Sequence, residues 1–421
     1  MRPVEAAPGC ALPGGELTSR IGGEVSGPRP VATIIVLSYR PGAWLVPCLE
    51  SALGQDADVL CIDNGSDDRL ASALAGPTGA RVLRSERNLG FSGGVNLGLR
   101  HARGRLVALL NDDAVAGPGW IEAASSALED PSVAAVAPKV LMSGWYRQVR
   151  LGGAATEAPG DPRRLGTQVR TATVGGHDVL ERLAGGGIHR LESDDSGRWR
   201  WSVPGASFYV PVGGPGADEE LEVNGRLIAG GTASRLINKA GSYLRPDGIL
   251  GDFGSETPDD GRFDHPRECF FASGTAMVAR AETFAAVGPL ADQFFAYYED
   301  GDWSWRARLL GRRVLYDPSA TVEHRVSATS GGATSPRVRY LAERNRSLCL
   351  LRNAPAAVAA AELRRRMGGG PLDGVRRGVL RSAPWALRSR WAMAPQRQVA
   401  PAAVWDRWAG ADNTWEGSPA E

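Results

Sequence analysis

Residues Leu109-Leu110-Asn111-Asp112-Asp113-Ala114-Val115 form an apolar strand that ends in an amide and two carboxylates. Bare charges are costly inside a buried strand, so these carboxylates belong at a rim where water, a metal or a ligand compensates them. An open α/β sheet binds its ligand at such a rim, beyond the carboxyl ends of its strands. Oxygen donors at a strand tip suit Mg²⁺ or Mn²⁺, which takes a few carboxylates and fills the rest of its shell with water and substrate phosphates. A polar turn that merely ends a strand looks the same, and the stretch taken alone favours that reading. Its neighbours reverse it.

Upstream, Val31-Ala32-Thr33-Ile34-Ile35-Val36-Leu37 is a continuous apolar, β-branched run, the pattern of a strand covered on both faces of a parallel sheet. A helix is expected around 44–53, strands at 58–62 and 81–84, a helix over about 93–102, and a strand at 106–110 that delivers Asp112 and Asp113. Strand and helix alternate at βαβ spacing, which predicts an α/β fold with a doubly wound, mostly parallel sheet. From about 143 the chain changes to Gly-rich loops and short alternating strands at 198–203 and 207–212, and the helical period is lost until about 236. This predicts a β-rich insertion over 143–236. The α/β signal returns at 269–278. Beyond about 335 the chain reads as helical and Arg-rich, with Arg364-Arg365-Arg366, Arg376-Arg377 and the tryptophans Trp385, Trp391, Trp405 and Trp408. The expected divisions are a disordered Gly/Pro/Ser-rich lead-in (1–30), two α/β halves (31–142 and 237–335) around the insertion, and a helical C-terminal region (336–421).

A chain of 421 residues can hold two or three domains, and a net charge of +1 gives no global pull toward nucleic acid. Lys139 and Lys239 are the only lysines among many arginines, as a GC-rich coding sequence would produce. Cys10, Cys48, Cys61, Cys269 and Cys349 are scattered singly, so neither a disulfide framework nor a zinc site is expected and a reducing cytoplasm is the simplest compartment. No apolar run reaches the length of a spanning helix, and the first residues lack the core of a signal peptide. The expectation is a cytoplasmic protein, soluble or peripheral at the inner face of the membrane.

Several loops follow strands and would share the ligand rim. Asp63, in Asp63-Asn64-Gly65-Ser66, can accept the N3–H of a uracil or thymine ring, although the same four residues make a good turn. In Arg87-Asn88-Leu89-Gly90-Phe91-Ser92-Gly93-Gly94-Val95-Asn96 the glycines permit close approach, a following helix N-terminus favours anions, and Arg87 and Asn88 can reach a diphosphate; helix packing explains the glycines equally well. Glu299, Asp300 and Asp302 follow the aromatic run that starts at Phe294. Capping a helix takes one carboxylate, not three, and an aromatic wall can raise a carboxylate into a general base's working range. His324 leaves a further strand, where it is either structural or a metal ligand.

In order and spacing, Val36-Leu37-Ser38-Tyr39, Ile62-Asp63-Asn64-Gly65-Ser66, Asn88-Leu89-Gly90-Phe91 with Asn96, Leu110-Asn111-Asp112-Asp113, and Tyr298-Glu299-Asp300-Gly301-Asp302 with His324 make the chain resemble the inverting family 2 glycosyltransferases of the GT-A fold, above all their rhamnosyltransferase-like and galactofuranosyltransferase-like bacterial branch. The resemblance covers about 31–142 and 237–353. It implies a nucleotide-sugar-binding half and an acceptor and catalytic half. Asp63 would read the base of a UDP- or dTDP-sugar; Asp113, the last position of a DxD-type motif, would hold a divalent Mn or Mg ion; His324 would be its distal ligand. Asn111 stands where the motif would supply another carboxylate, and Asp112 would lie near the ribose or donor sugar. Ser38, Tyr39, Arg87, Asn88, Gly90 and Asn96 complete the implied donor side, and Ser273-Gly274 the acceptor side. Asp300 would be the base, with Glu299 and Asp302 next in line.

The implied reaction transfers a sugar to a hydroxyl of a glycan, lipid-linked or cell-wall acceptor; a soluble natural-product scaffold is the rival acceptor, and a non-catalytic carbohydrate-binding protein the rival class. A retaining mechanism lacks a second nucleophile, and a nucleotidyltransferase would start on a Gly-rich triphosphate loop unlike Val36-Leu37-Ser38-Tyr39-Arg40. Trp199, Trp201, Phe208 and Tyr209 in the insertion alternate as a half-buried strand would, which favours core packing over sugar stacking and leaves oligomerisation as a further role. The C-terminal Arg/Trp segment fits either an anionic membrane surface or packing on the core.

Overall fold

In the computed structural model, residues 30–410 are described apart from 67–68, 153–154, 156–160, 162, 326–334 and 369–372. The expected disordered lead-in, Pro30 excepted, lies outside the described residues. Ten strands form the main sheet: β1 (Ala32–Ser38), β2 (Asp58–Asp63), β3 (Arg81–Arg84), β4 (Leu106–Asn111), β5 (Ala114–Ala116), β6 (Val133–Met142), β7 (Ile237–Ala240), β8 (Arg267–Glu268), β9 (Ala276–Arg280) and β10 (Arg313–His324). The helices are α1 (Leu45–Leu53), α2 (Leu70–Ala75), α3 (Gly90–His101), α4 (Trp120–Ala127), α5 (Ala281–Val287), α6 (Glu299–Leu309), α7 (Pro336–Asn353), α8 (Ala356–Met367), α9 (Gly374–Met393) and α10 (Pro401–Trp408).

The order across the sheet is β8-β10-β6-β9-β4-β1-β2-β3, with β7 added to β6 and β5 to β10. Strand β1 is parallel to β2 and β4, and β10 is parallel to β6, whereas β9 is antiparallel to both β4 and β6. One rim therefore collects the carboxyl ends of β1, β2, β4, β6 and β10 and the amino end of β9. The unbroken apolar run of β1 has a direct cause. Ile34 and Val36 enter a core with Leu45 and Leu49 of α1, while Ile35 enters another with Val95 and Leu99 of α3. Both faces are covered, so a polar side chain there needs a partner, as Thr33 finds in Asp58 and the Arg103 and Gly104 N–H groups.

The α/β class, the mostly parallel sheet and the helical C-terminal region are those expected from the sequence. Two details differ. Helix α3 begins at Gly90, three residues earlier than expected. The stretch 269–278, where the α/β signal returns, forms a strand only from Ala276; ahead of it, Arg308 reaches back from α6 to the carbonyls of Cys269 and Phe270.

No α-helix occurs between Ala127 and Ala281 among the described residues. There Trp145–Arg150 pairs with Ser207–Val212 and Ala233–Ser234, and three further small sheets, of four, three and two strands, lie in the same stretch. Phe208 is fully buried among Val149, Val169 and Val210, and Tyr209 is buried beside Tyr146. Trp199 and Trp201 are half-buried, with the Arg170 guanidinium over the Trp199 ring.

Candidate active site

The tip of β4 is the centre of the rim. Asp112 is buried, and the Ser38 hydroxyl at the end of β1 donates to its Oδ2 at 2.7 Å. Burial, with the neighbouring Asp113, raises the Asp112 carboxyl to about 7 against the pull of that hydrogen bond. The Asn111 backbone is fixed by its N–H to Thr275 O and by the Cys48 thiol on its carbonyl. Asp113 points the other way, its Oδ1 lying 3.1 Å from His324 Nε2 at the end of β10.

His324 Nδ1 is 3.0 Å from Asn238 Oδ1. An amide oxygen only accepts, so Nδ1 carries the proton and a neutral ring turns the Nε2 lone pair toward Asp113. Two acceptors that close need a proton or a cation between them. Two ligands at right angles on an octahedral cation, each about 2.1 Å away, would stand about 3.0 Å apart, so carboxylate and imidazole fit adjacent positions around Mg²⁺ or Mn²⁺. No cluster of three or more His, Cys, Asp or Glu suited to a metal occurs among the described residues, so the other positions would fall to water and ligand oxygens.

Asp300 lies on the first turn of α6. Its Oδ2 accepts the Gly274 N–H at 2.8 Å and its Oδ1 the Gly301 N–H at 2.7 Å. Gly274 is two residues ahead of Ala276, which pairs with Leu110, so Asp300 comes to the same end of the sheet as Asp112 and Asp113. A Cβ at Gly274 would meet the Phe91 ring at 2.8 Å. Burial pushes the Asp300 carboxyl above the usual range, against the Gly274 N–H and the Lys239 ammonium. Glu299 is also buried and pushed well upward, with Oε2 lacking a hydrogen-bond partner. Ser273 is buried beside Thr275, its hydroxyl 3.2 Å from Thr275 Oγ1.

The loop leading into Asp300 is strained. Phe295, Tyr297 and Tyr298 all have positive φ, at 66°, 70° and 74°. Asn345 of α7, fully buried, sets its Nδ2 within 2.8–2.9 Å of the carbonyls of Phe294, Ala296 and Tyr297. On the other side, Gly90 at φ +74° presses on the same loop, and a Cβ there would lie 2.4 Å from Phe295 O.

Other expected residues are occupied elsewhere. Asp302 is fully buried on the opposite side of α6, bonded to Arg306, Arg352 and Asn353, and is not brought to the rim. Asn96 clamps Leu290 and Asp292. Asn88 and Asn64 brace one another across two loops, Asn88 Oδ1 also accepting the Gly90 N–H. Asp63 reaches the rim fully buried, with its carboxylate accepting from Ser72, Arg84 and the Ser66 N–H; these bonds outweigh burial and hold it below the usual range. Arg87 is exposed, and Tyr39 is half-buried with the Arg40 guanidinium over its ring.

Three residues of the rim were not foreseen: Asn238, Lys239 and Asp252. The register of β7 against β6 slips between Ile237 and Lys239, a bulge that re-aims Asn238 toward His324. Lys239 pairs with Asp252 at 3.0 Å, and both act electrostatically on Asp300. A signal for Lys239 existed, one of two lysines in a chain that otherwise uses arginine.

Residues 33–167 match the family model described as glycosyl transferase family 2. That stretch is a family 2 glycosyltransferase domain. It contains Asp63, Asp112 and Asp113, while Asp300 and His324 lie beyond the matched residues. An uncharacterised protein of Mycobacterium tuberculosis is 33% identical over 118 residues, 26% of this chain and 37% of that protein. The succinoglycan biosynthesis protein ExoO of Rhizobium meliloti is 34% identical over 95 residues, 21% of this chain and 27% of that protein. The chain thus spans about a third of the length of the curated relatives it matches. Among solved structures, GalNAc-T7 with UDP, GalNAc and Mn²⁺ has a TM-score of 0.48 at 12% identity, covering 87% of this chain and 56% of that one.

Proposed function

We propose that the chain is an inverting glycosyltransferase that moves a sugar from a UDP- or dTDP-sugar to a hydroxyl of a glycan, lipid-linked or cell-wall acceptor. The observation that carries this reading is the pairing, at one rim beside the family 2 domain, of a half-buried carboxylate oriented by two N–H groups with a carboxylate–imidazole couple suited to a cation. Asp300 takes the proton of the acceptor hydroxyl; the hydroxyl oxygen bonds to the anomeric carbon as the bond to the nucleoside diphosphate breaks on the far side. Gly274 and Gly301 aim the Asp300 carboxylate, and Lys239 opposes the upward push of burial so that the base can ionise. Asp113 and His324 would hold a divalent ion, which when bound supplies charge neutralisation for the departing diphosphate. Asn238 fixes the ring that would face it.

A thermal-shift panel of UDP- and dTDP-sugars, each with and without Mn²⁺, tests the reading. A Mn²⁺-dependent rise with one donor is expected, since a ligand that binds only the folded state adds RT ln(1 + [L]/Kd) to stability. No rise with any donor would favour a non-catalytic carbohydrate-binding protein.

A further inference from the structure

We propose that the outer face of α9 is a contact surface for an anionic lipid bilayer. Residues 374–405 contain six arginines and no Asp or Glu. The fold divides the six by role. Arg376 reaches the carbonyls of Arg366, Met367 and Gly368; Arg390 reaches those of Leu351 and Ala354; Arg397 reaches that of Arg390. These three neutralise helix ends inside the molecule. Arg377, Arg381 and Arg388 are exposed and make no ion pair or side-chain hydrogen bond among the described residues.

Spaced by four and seven positions, they fall on one stripe of α9, and Trp391, three residues further on, continues it. The stripe runs for about 21 Å at the helical rise. Trp391 is 76% exposed, the most exposed large apolar side chain among the described residues, and Met367, 65% exposed, lies at the other end of the helix beside the carbonyls that Arg376 holds. The opposite face carries Val379, Ala383 and Ala386 into the core, so the orientation of the helix is set by packing.

An unpaired cationic row ending in an exposed indole matches the headgroup layer. The guanidiniums meet lipid phosphates and the ring takes the interfacial position that tryptophan favours. No helix among the described residues is long and apolar enough to cross a membrane, so the contact is peripheral. The surface is separate from Asp300, and its test uses no turnover, so its failure would leave the catalytic reading standing.

The test is co-sedimentation of the full chain with vesicles of phosphatidylcholine and phosphatidylglycerol, two to one, against phosphatidylcholine alone. Binding to the anionic vesicles only, weakening with salt, is expected. The triple variant Arg377→Gln, Arg381→Gln, Arg388→Gln should lower the partition coefficient about a hundredfold, roughly fivefold per arginine. Trp391→Ala should lower it less and keep the salt dependence. Both variants change exposed side chains and should melt with the wild type. Equal binding to the two vesicle types, or a triple variant that binds like the wild type, overturns the proposal. So does displacement from the vesicles by a DNA duplex at equal phosphate concentration, which would make the stripe a nucleic-acid surface.

Discussion

Three carboxylates within four residues do different work because α6 turns them apart. At about 100° per residue, Asp302 is rotated some 200° from Asp300, so one reaches Gly274 and the rim while the other is sealed against Arg306 and Arg352. If Asp300 is the base, Asp300→Asn should cut turnover by about 10²–10⁴-fold and leave donor binding nearly intact, read as kcat beside a donor thermal shift. The pH dependence follows from the upward shift that burial imposes. A base must be ionised, so the rate should fall as pH drops through that raised value, and the asparagine variant should lose this acid limb. Turnover close to normal in Asp300→Asn would move the assignment to Glu299. Asn238→Ala removes the hydrogen bond that orients His324 through Nδ1 and should weaken Mn²⁺ binding about 10–100-fold in a direct titration; unchanged affinity would remove the cation from the Asp113–His324 pair.

Among the elements, the loop of residues 294–298 matters most. Three of its residues have positive φ, each costly for a side chain larger than glycine, about 1–3 kcal/mol, and such residues persist only where surroundings over-determine them. Here the surroundings are Gly90, which leaves room for Phe295 O, and Asn345, which satisfies three carbonyls from inside the core. Asn345→Ala removes the buried amide donor shared by those carbonyls and should destabilise the fold by about 1–3 kcal/mol in urea unfolding. It should also lower kcat more than donor affinity, since the loop leads directly into Asp300. A variant that lost stability but kept kcat would mean that the loop's strain is unrelated to the base. For the glycines of 87–98, close ligand approach and helix packing were equally open from the sequence; Gly90, Gly94 and Gly98 make room for Phe295, Leu37 and Ile35, a packing role that spacing alone cannot separate from ligand approach.

At the scale of the whole molecule, the C-terminal helices are built into the sheet half. Arg352 and Asn353 of α7 bind Asp302, Arg407 of α10 joins Arg308 on Glu268, and Trp405 stacks on Trp305 at 6.0 Å. Asp302→Ala would leave Arg306 and Arg352 buried without their charge partner and should cost about 3–5 kcal/mol of stability, measured by chemical denaturation. Asp300→Asn, which strands no buried cation, should cost far less. The contrast separates the two carboxylates without any substrate, and equal losses would contradict it. Truncation after Asn353 removes Val379, Ala383, Val404 and Trp408 from the core that holds Trp305, so loss of folding is the expected result; membrane contact is better probed by surface substitutions.

Much of the architecture was legible in residue order. Short β-branched apolar runs read as strands covered on both sides, and carboxylates at their ends as a rim, so β1, β2, β4 and Asp112-Asp113 were legible from burial cost together with the βαβ spacing of their neighbours. Three things needed the tertiary structure. Strand register and a bulge decided that Asn238 meets His324 and that Lys239 stands near Asp300, because pairing across a sheet joins residues remote in the chain. Helical phase around α6 decided which carboxylate faces the rim. Packing of α9 decided that the arginine clusters obvious in the sequence are largely spent on internal carbonyls and on Glu362, leaving Arg377, Arg381 and Arg388 outside, because a guanidinium's partner is set by the elements packed around it and not by its neighbours in sequence.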